Sequence, residues 1–506
     1  MTKEQKEHSS MKKRNISKIF EQSIYFVLTV VAAFFIIVSI AEPWIYHDVN
    51  GFLTIILATV FCIIFYYGLS FVQKLSVQGI NAFIWIGICI AFCIQMYIAF
   101  HMQLMPKVDL SHIYNQCLTM LEEGTSQITD HKYFGFNTNN IPITIVLYHV
   151  FRLSRAIGLT NYRLAGGIFN VLLLLIVYSL LFQILKKITT LQTAAAIMFL
   201  LLTNPAFYAY ASYYYTDTIS LAFTVVSAYF MICGVFACRK KKCLFFPLSG
   251  FFMGLAYQVR VTSIFLIIAV SLCLLVKKHW RHLIQCGSLF AIGFLAFTLL
   301  WQPLYTYHVD FDTTNSSTTV EHFLMMGSAQ KGTYNKTDVK FTQSFDTHEE
   351  KVKNNLSVYK QRIKENGIWG NLRLAVTKEA IVWGIGSRGY QQYTQHVAEK
   401  TPCYDYISGD KSAGFKTWMQ AYNIVLFLMI LLGVLNAKKE DEISMFILSV
   451  YWGGALLFYL FWEAHPRHAL SFLPFLTMLA IPGIRNYKLF RKRYSGTSKE
   501  ELLSDT

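Results

Sequence analysis

Long apolar stretches recur along the chain and alternate with short polar segments. Twelve of them run for 16 to 22 residues without Asp, Glu, Lys or Arg. They cover residues 24–41, 51–72, 80–100, 165–185, 191–207, 218–238, 243–259, 261–276, 283–303, 417–436, 443–461 and 469–484. A membrane-crossing helix needs about 20 mostly apolar residues. The pattern therefore predicts an all-α polytopic membrane protein of about twelve helices. The stretches 243–259 and 261–276 are short, so we expect one of these two helices to be broken or strongly tilted.

The positions of the basic residues predict which ends of these helices face the cytoplasm. Cytoplasmic loops are enriched in Lys and Arg. The clusters that we place inside are Lys12-Lys13-Arg14, Lys186-Lys187, Arg239 to Lys242, Lys277-Lys278, Lys438-Lys439 and Arg491-Lys492-Arg493. With twelve spans, both termini are cytoplasmic and every one of these clusters falls on the inner side. The first 23 residues are basic and polar, and we interpret the first span as a retained signal anchor.

One further stretch, 141–158, complicates the count of spans. It is mostly apolar but contains Arg152 and Arg155 within a helical pattern. Counting it as a span would place Lys186-Lys187 outside or break every later assignment. We therefore predict an interfacial helix on the outer face. The alternative is a true span, with a miscount elsewhere.

The composition narrows the class of protein. The 506 residues are 54% hydrophobic and 15% charged, whereas soluble proteins carry roughly 25% charged residues. The net charge of +16 arises on the predicted cytoplasmic side, where it sets the topology and meets anionic lipid, so it gives no argument for nucleic acid. No Gly-rich phosphate loop, zinc spacing or Ser/His/Asp elbow occurs. Cys117 and Cys403 fall in outer loops, and whether they pair is left open.

The topology divides the chain into five parts. They are a basic cytoplasmic N-terminus (1–23), a transmembrane bundle (24–303) that includes the outer loop 101–164, an extracytoplasmic loop (304–415), C-terminal spans (416–485) and a cytoplasmic tail (486–506). Loop 304–415 holds 13 Lys or Arg and 12 Asp or Glu, with helical stretches near 348–365 and 369–383. It is too small and too polar for a large independent domain. We expect it to cap the membrane part.

Three charged residues at predicted outer helix ends are candidate site residues. Asp109 lies just beyond the third span, and Asp217 follows three tyrosines where a helix re-enters the membrane. Either Asp could simply cap a helix, and the tyrosines could belong to the interfacial aromatic belt. Arg260 lies alone in a tight outer turn, where a charge is costly unless it is paired. Its guanidinium could bind a lipid phosphate.

The outer loops contain further candidates. The turn between the last two spans is dense in polar groups and includes Glu463, Arg467 and His468. His322 lies in an amphipathic piece, residues 321–327, that we expect to return to the membrane surface, and Tyr114 lies in the same segment as Asp109. Both are counted with the candidate substrate-binding residues. The remaining pattern is Asp310-Phe311-Asp312, which could hold a divalent cation through oxygen ligands, so a metal stays open.

If these groups converge at one membrane face, they suit transfer chemistry on a lipid phosphate. A carboxylate can act as the base for an acceptor hydroxyl. Cations can offset the charge of a phosphate leaving group. A polyprenyl chain needs an apolar groove between helices.

The order and sidedness of these motifs resemble those of membrane glycosyltransferases with the GT-C fold, near the protein O-mannosyltransferase and aminoarabinose-transferase branch. That family has a catalytic Asp in the first long outer loop, interfacial helices after it, and a second acidic residue two spans later. Asp109, segment 141–158 and Asp217 match these positions within a resemblance that covers roughly 80–485. The turn 463–468 is similar to a Glu…Pro-Arg-Tyr signature of Gram-positive members, with His468 in place of Tyr. The loop around 322–335 also looks like that subgroup.

The resemblance implies a glycosyltransferase at the outer face of a bacterial plasma membrane. It implies transfer of a monosaccharide from a polyprenyl-phosphate carrier to a cell-envelope glycan, such as a teichoic acid or surface polysaccharide, with inversion. Asp109 would be the general base, Arg260 and Arg467 would neutralise the phosphate, and Asp217 and Glu463 would orient hydroxyls. Asp109 lacks the adjacent acidic residue of the mannosyltransferases, so metal use does not carry over.

Two other functional classes remain alternatives at this point. A lipid-linked glycan transporter or flippase would usually show ionisable groups at mid-membrane depth and an internal repeat, and neither is evident. An envelope polysaccharide polymerase or ligase would use a lipid-linked oligosaccharide in place of a lipid-linked single sugar.

Overall fold

The computed structural model of the chain describes residues 3–46, 49–437 and 442–486, and these ranges are mostly helical. The first thirteen helices are α1 Lys3–Tyr46, α2 Gly51–Val72, α3 Val77–His101, α4 Asp109–Glu122, α5 His131–Phe136, α6 Ile141–Ala156, α7 Tyr162–Ile188, α8 Leu191–Leu202, α9 Ala206–Ala209, α10 Thr216–Val235, α11 Arg239–Val259, α12 Phe265–Val276 and α13 Trp280–His308. The remaining nine are α14 Val320–Gly327, α15 Lys336–Gln343, α16 His348–Glu379, α17 Gln391–Thr394, α18 Pro402–Ile407, α19 Ala413–Ala437, α20 Ile443–Phe461, α21 Leu473–Met478 and α22 Ile481–Arg485.

Every predicted apolar stretch coincides with a helical segment. Within the described ranges, nine segments are long and apolar enough to cross a membrane: Lys18–Trp44, Gly51–Val72, Val77–His101, Tyr162–Ile188, Thr216–Val235, Trp280–His308, Ala413–Ala437, Ile443–Phe461 and Pro466–Arg485. Leu191–Leu202 and Val261–Val276 are shorter apolar helices. The predicted stretch 191–207 ends early because Thr203-Asn204-Pro205 interrupts it. The prediction of an all-α polytopic membrane protein is confirmed.

Two predicted cytoplasmic features lie outside the described residues. These are the basic clusters Lys438-Lys439 and Arg491-Lys492-Arg493, together with all but the first residue of the predicted tail 486–506. The ten cysteines all fall within the described ranges, and all are free. Cys117 and Cys403 therefore do not pair.

The helices that carry the candidate residues pack closely. α10 packs against α7 and α11, and α11 packs against α13. The crossing of α11 and α13 depends on two glycines. A Cβ on Gly250 would lie 1.9 Å from the Phe290 carbonyl oxygen, and one on Gly293 would lie 1.8 Å from the Pro247 carbonyl oxygen. Small residues at such crossings let the helix backbones approach, which is how many helices associate in membranes.

Segment 141–158 forms the 16-residue helix α6, which is not among the candidate spans. The rings of Tyr148 and His149 both contact the ring of His308, the last residue of α13. Arg155 donates a hydrogen bond to the Leu121 carbonyl at the end of α4 (2.8 Å). α6 therefore packs where a spanning helix ends, as an interfacial helix would.

Loop 304–415 does more than cap the bundle, because part of it inserts between spanning helices. After α16 a π-helical turn, Ala380–Gly384, places the Trp383 ring among the rings of Phe35, Trp452 and Phe472. Asn423 in α19 donates hydrogen bonds to the carbonyls of Trp383 and Gly384. Irregular backbone at membrane depth requires such buried partners. Residues 380–393 thus form a re-entrant segment that returns to the candidate site.

Candidate functional site

Asp217 lies between the two arginines that the sequence analysis selected. Its Oδ1 is 2.8 Å from Arg260 Nη1, and its Oδ2 is 3.1 Å from Arg467 Nε. The Asp217 side chain is 2% exposed, and those of Arg260 and Arg467 are 14% and 11% exposed. Three residues from α10, the end of α11 and the turn before α21 therefore form one charge cluster, in which two cations face one carboxylate. We call these three residues the arginine cluster.

Asp217 does not cap its helix. Tyr215 occupies the N-cap of α10 without a side-chain hydrogen bond, and Asp217 lies in the first turn. A carboxylate is favoured there by the helix dipole. The main stabilisation comes from the two guanidinium groups, because a buried charge needs partners.

Aromatic rings surround the second arginine. The Arg467 Cζ lies 4.4 Å from the centroid of the Tyr393 ring and 4.8 Å from that of Tyr215. Its Nη1 donates a hydrogen bond to the Tyr213 hydroxyl (3.0 Å). A guanidinium over a ring face gains cation–π attraction, which is strongest where water is excluded. Burial raises the pKa of Tyr213, so its hydroxyl stays protonated.

Asp109 is fixed by a network of neutral polar groups. It is the first residue of α4, and its Oδ1 accepts a hydrogen bond from the Tyr133 hydroxyl (2.8 Å). Its Oδ2 accepts a longer bond from the Tyr215 hydroxyl (3.4 Å). Asn140 joins both tyrosines, since it donates to the Tyr133 hydroxyl (2.7 Å) and shares with Asp109 the single hydrogen of the Tyr215 hydroxyl, which lies 2.9 Å from Asn140 Oδ1. The carboxylate is half-buried and orientated from two sides.

One tyrosine connects Asp109 to the arginine cluster. The Tyr215 hydroxyl reaches Asp109, and the face of the same ring lies against Arg467. Asp109 and the buried Arg467 are therefore separated by about one aromatic ring.

The turn before α21 adds ionisable groups to this region. Burial raises the pKa of Glu463 to about 7, while Arg467 lowers it and Asp109 raises it. The Ala464 amide donates to the Gly332 carbonyl (2.8 Å), which holds the outer loop against this turn. Glu463 therefore changes charge near neutral pH beside Arg467.

The two histidines of the turn make different contacts. The Nδ1 of His465 accepts a hydrogen bond from the Arg467 amide (3.1 Å), and its Nε2 lies 3.2 Å from the Tyr393 hydroxyl. Burial lowers the pKa of His465 to about 3, so it is neutral at pH 7. The His468 ring stacks on that of Tyr459, with centroids 5.4 Å apart. His468 thus packs against α20, and its ring also contacts that of His465.

Two predicted binding residues are not brought to this region. The His322 Nδ1 lies 2.6 Å from the Thr342 hydroxyl inside the outer loop, and burial lowers its pKa to about 4. The Tyr114 ring packs against Phe151 in α6. Both side chains have packing partners of their own, so neither is included in the proposed site.

Sequence reasoning missed several groups that complete the site. Tyr133, Asn140 and Tyr393 lie in segments without a recognisable pattern, and only the fold brings them together. The run Tyr213-Tyr214-Tyr215 was the available signal, and the belt interpretation of it was wrong. All three tyrosines are buried, at 4% exposure or less.

The Asp310–Asp312 pair does not form part of a larger ligand set. Asp310 Oδ1 lies 3.7 Å from His131 Nε2, and Asp312 Oδ1 accepts from the Thr314 amide (2.8 Å). Among the residues that the structure describes, no group of three or more His, Cys, Asp or Glu side chains could hold a metal ion.

A polar cavity of about 220 Å³ lies along α4. Its lining residues are His112, Asn115, Gln116, Thr119, Thr129 and Asp130. The His112 ring stacks on the Tyr133 ring, with centroids 3.9 Å apart. His112 therefore connects the cavity wall, which offers hydroxyl, amide and imidazole groups, to the tyrosine that orientates Asp109.

We expect Tyr215→Phe to weaken the site more than Tyr214→Phe. The Tyr215 hydroxyl has one hydrogen, which Asn140 Oδ1 (2.9 Å) and Asp109 Oδ2 (3.4 Å) share, so the substitution removes one shared hydrogen bond worth about 1 kcal/mol or more. The Tyr214 hydroxyl makes no hydrogen bond with any described residue, so its removal is the matched control. The measurement is the melting temperature in detergent. Equal effects of the two substitutions would contradict the assigned network.

Taken together, the helices and the charge cluster define an all-α integral membrane protein with an ionisable site where several spanning helices end. The chain belongs to the family described as conserved hypothetical integral membrane protein, whose family model matches residues 9–486. No curated protein matches it. Among solved structures, it shows a likeness to ArnT from Cupriavidus metallidurans bound to undecaprenyl phosphate, with 14% identity and a TM-score of 0.38. That likeness covers 79% of this chain and 78% of the ArnT chain.

Proposed function

We propose that this protein is a membrane glycosyltransferase that moves a single sugar from a polyprenyl-phosphate carrier to a cell-envelope glycan. The observation that carries the proposal is the pairing of Asp109 with the arginine cluster through Tyr215. A base and a cationic group about one aromatic ring apart suit the displacement of a phosphate leaving group. The motif order shared with GT-C glycosyltransferases supports the same interpretation.

In the proposed reaction, Asp109 removes the proton from an acceptor hydroxyl as its oxygen attacks the anomeric carbon. The bond between that carbon and the phosphate oxygen breaks, and the electron pair leaves with the polyprenyl phosphate. Attack opposite the leaving group inverts the configuration. The proton passes from Asp109 to solvent after product release.

The arginine cluster would stabilise the departing phosphate. With one carboxylate and two guanidinium groups it carries one net positive charge. Both oxygens of Asp217 face arginines. We therefore propose that Asp217 fixes the positions of these cations, in place of the expected role of orienting sugar hydroxyls. Arginine forks match phosphate oxygens, and preorganised cations cost little reorganisation at the moment of reaction.

The polar cavity along α4 would receive the acceptor. One of its lining residues, His112, stacks on Tyr133, which donates a hydrogen bond to Asp109. By the topology that the basic residues predict, this site faces the outside and both termini are cytoplasmic.

Glu463 should make donor binding depend on pH. Its pKa near 7 means that it is neutral below pH 7 and anionic above, where it offsets Arg467. We expect the KM for a polyprenyl-phosphate sugar to rise about tenfold, or about 1.4 kcal/mol, between pH 6 and pH 8. The donor is a phosphodiester and keeps one charge over this range. Glu463→Gln should remove the dependence, and an unchanged pH profile in this variant would contradict the assignment.

Cell envelopes with and without the gene test the proposal as a whole. Loss of one decorating monosaccharide with the polymer backbone intact is the expected result of glycan analysis. Loss of the entire polymer would contradict it and favour a polymerase or a flippase.

A further inference from the structure

Helix α16 changes character at Gly367. This residue has φ 60° and ψ −172°, a conformation that glycine adopts easily, and it divides the helix into two parts. In the first part the exposed side chains are all polar. They are those of His348, Glu349, Glu350, Lys353, Ser357, Lys360, Gln361, Lys364, Glu365 and Asn366.

The second part, residues 368–379, exposes large apolar side chains. Ile368 is 84% exposed and Trp369 is 81% exposed, the two highest values among the large apolar residues that the structure describes. Leu372 and Val376 on the same side are 52% and 46% exposed. Such an arrangement in water would be unusual, because exposed apolar clusters of this kind mark an interaction surface.

An amphipathic helix of a soluble protein buries its apolar face, whereas this helix exposes its apolar face. At 100° per residue, Ile368, Leu372, Val376 and Trp369 fall within an arc of about 100°. Lys378, by contrast, is buried on the protein side. The exposed Arg373 follows at the edge of the apolar arc. An apolar face with Trp, bordered by a basic side chain, is typical of helices that lie in a membrane surface.

The position of this helix fits the same environment. The Lys378 Nζ donates a hydrogen bond to the Leu460 carbonyl in the last turn of the spanning helix α20 (2.9 Å). On that helix Leu457 and Phe461 are 63% and 54% exposed, as lipid-facing residues would be. The apolar face of 368–376 thus begins where an apolar spanning surface ends.

We propose that residues 368–379 form an interfacial helix whose apolar face lies in the acyl boundary of the lipid leaflet next to the candidate site. The helix continues directly into the re-entrant segment that carries Trp383 into the bundle and returns with Tyr393. The bilayer therefore holds one end of this segment, and the other end places the Tyr393 ring against Arg467 of the arginine cluster. This inference does not depend on the reaction that the site performs.

Fluorescence of Trp369 tests the inference in the full-length protein reconstituted into phospholipid bilayers. The difference between wild-type and Trp369→Phe emission isolates this residue from the other eight tryptophans. We expect blue-shifted emission that lipids brominated near the top of the acyl chain quench at least twofold, with little quenching by aqueous acrylamide.

The control places a tryptophan on the polar half of the same helix. Lys360→Trp should show the opposite pattern, with strong quenching by acrylamide and little by brominated lipid. Quenching of Trp369 mainly by acrylamide would overturn the inference. Protection of Trp369 from both quenchers would also overturn it, because the face would then be covered by protein.

Discussion

Asp109→Asn should reduce sugar transfer by a factor of about 10² to 10⁴, the usual contribution of a positioned general base. Asparagine is nearly isosteric and can still accept the hydrogen bond from Tyr133, so the network around the site should remain folded. In the proposed reaction, it could no longer take the proton of the acceptor hydroxyl. The measurement is the rate of transfer from a polyprenyl-phosphate sugar, with donor affinity measured separately.

Measuring the transfer rate and the donor affinity separately makes this test specific for the role of Asp109 as the base. Donor affinity should stay within about twofold, because the arginine cluster is intact. Glu122→Gln at the other end of α4 is the matched control, since it removes an exposed carboxylate from the same helix. An Asp109→Asn protein that transfers sugar at the parental rate would exclude Asp109 as the base.

Asp217→Asn should destabilise the protein by about 3–5 kcal/mol, the cost of leaving buried charges without their partner. Both of its oxygens face guanidinium groups, and its side chain is 2% exposed. Without the carboxylate, Arg260 and Arg467 repel each other and lose their fixed positions. We expect a clear fall in melting temperature and a loss of donor affinity of at least tenfold.

Two further variants separate charge balance from general damage. Asp217→Asn combined with Arg260→Gln removes one negative and one positive charge, so the cluster keeps its parental net charge. This double variant should recover part of the stability that Asp217→Asn loses. Asp338→Asn breaks a different buried pair, with Arg362 at 2.8 Å in the outer loop, and should lower stability without changing donor affinity. If Asp217→Asn were as stable as the parent, the paired cluster would not exist in the protein.

The helical positions could be predicted from the sequence because the membrane imposes a simple rule. A backbone in lipid must satisfy its own hydrogen bonds, so runs of about 20 apolar residues become helices. Single charged residues at the ends of such runs also identified candidate site residues. Asp217, Arg260 and Arg467 were selected separately, and the structure brings them within ion-pair distance.

The contacts between these residues could not be predicted in the same way. Asp217 was expected to face substrate, but its partners are 43 and 250 residues away in the chain and become neighbours only through helix packing. The tyrosine run at 213–215 had the composition of an interfacial belt, and burial shows otherwise. The re-entrant segment 380–393 was hidden within a polar loop, because a short inserted segment needs no long apolar run when neighbouring side chains satisfy its carbonyls.

The most direct test of the proposed function uses the purified protein in liposomes with a set of polyprenyl-phosphate monosaccharides and an envelope glycan fraction as acceptor. We predict that one donor is consumed, that polyprenyl phosphate is released, and that the sugar appears on the glycan with inverted configuration. Movement of the lipid-linked sugar across the bilayer without cleavage of its phosphate bond would contradict the account. Reaction only with a lipid-linked oligosaccharide would contradict it as well.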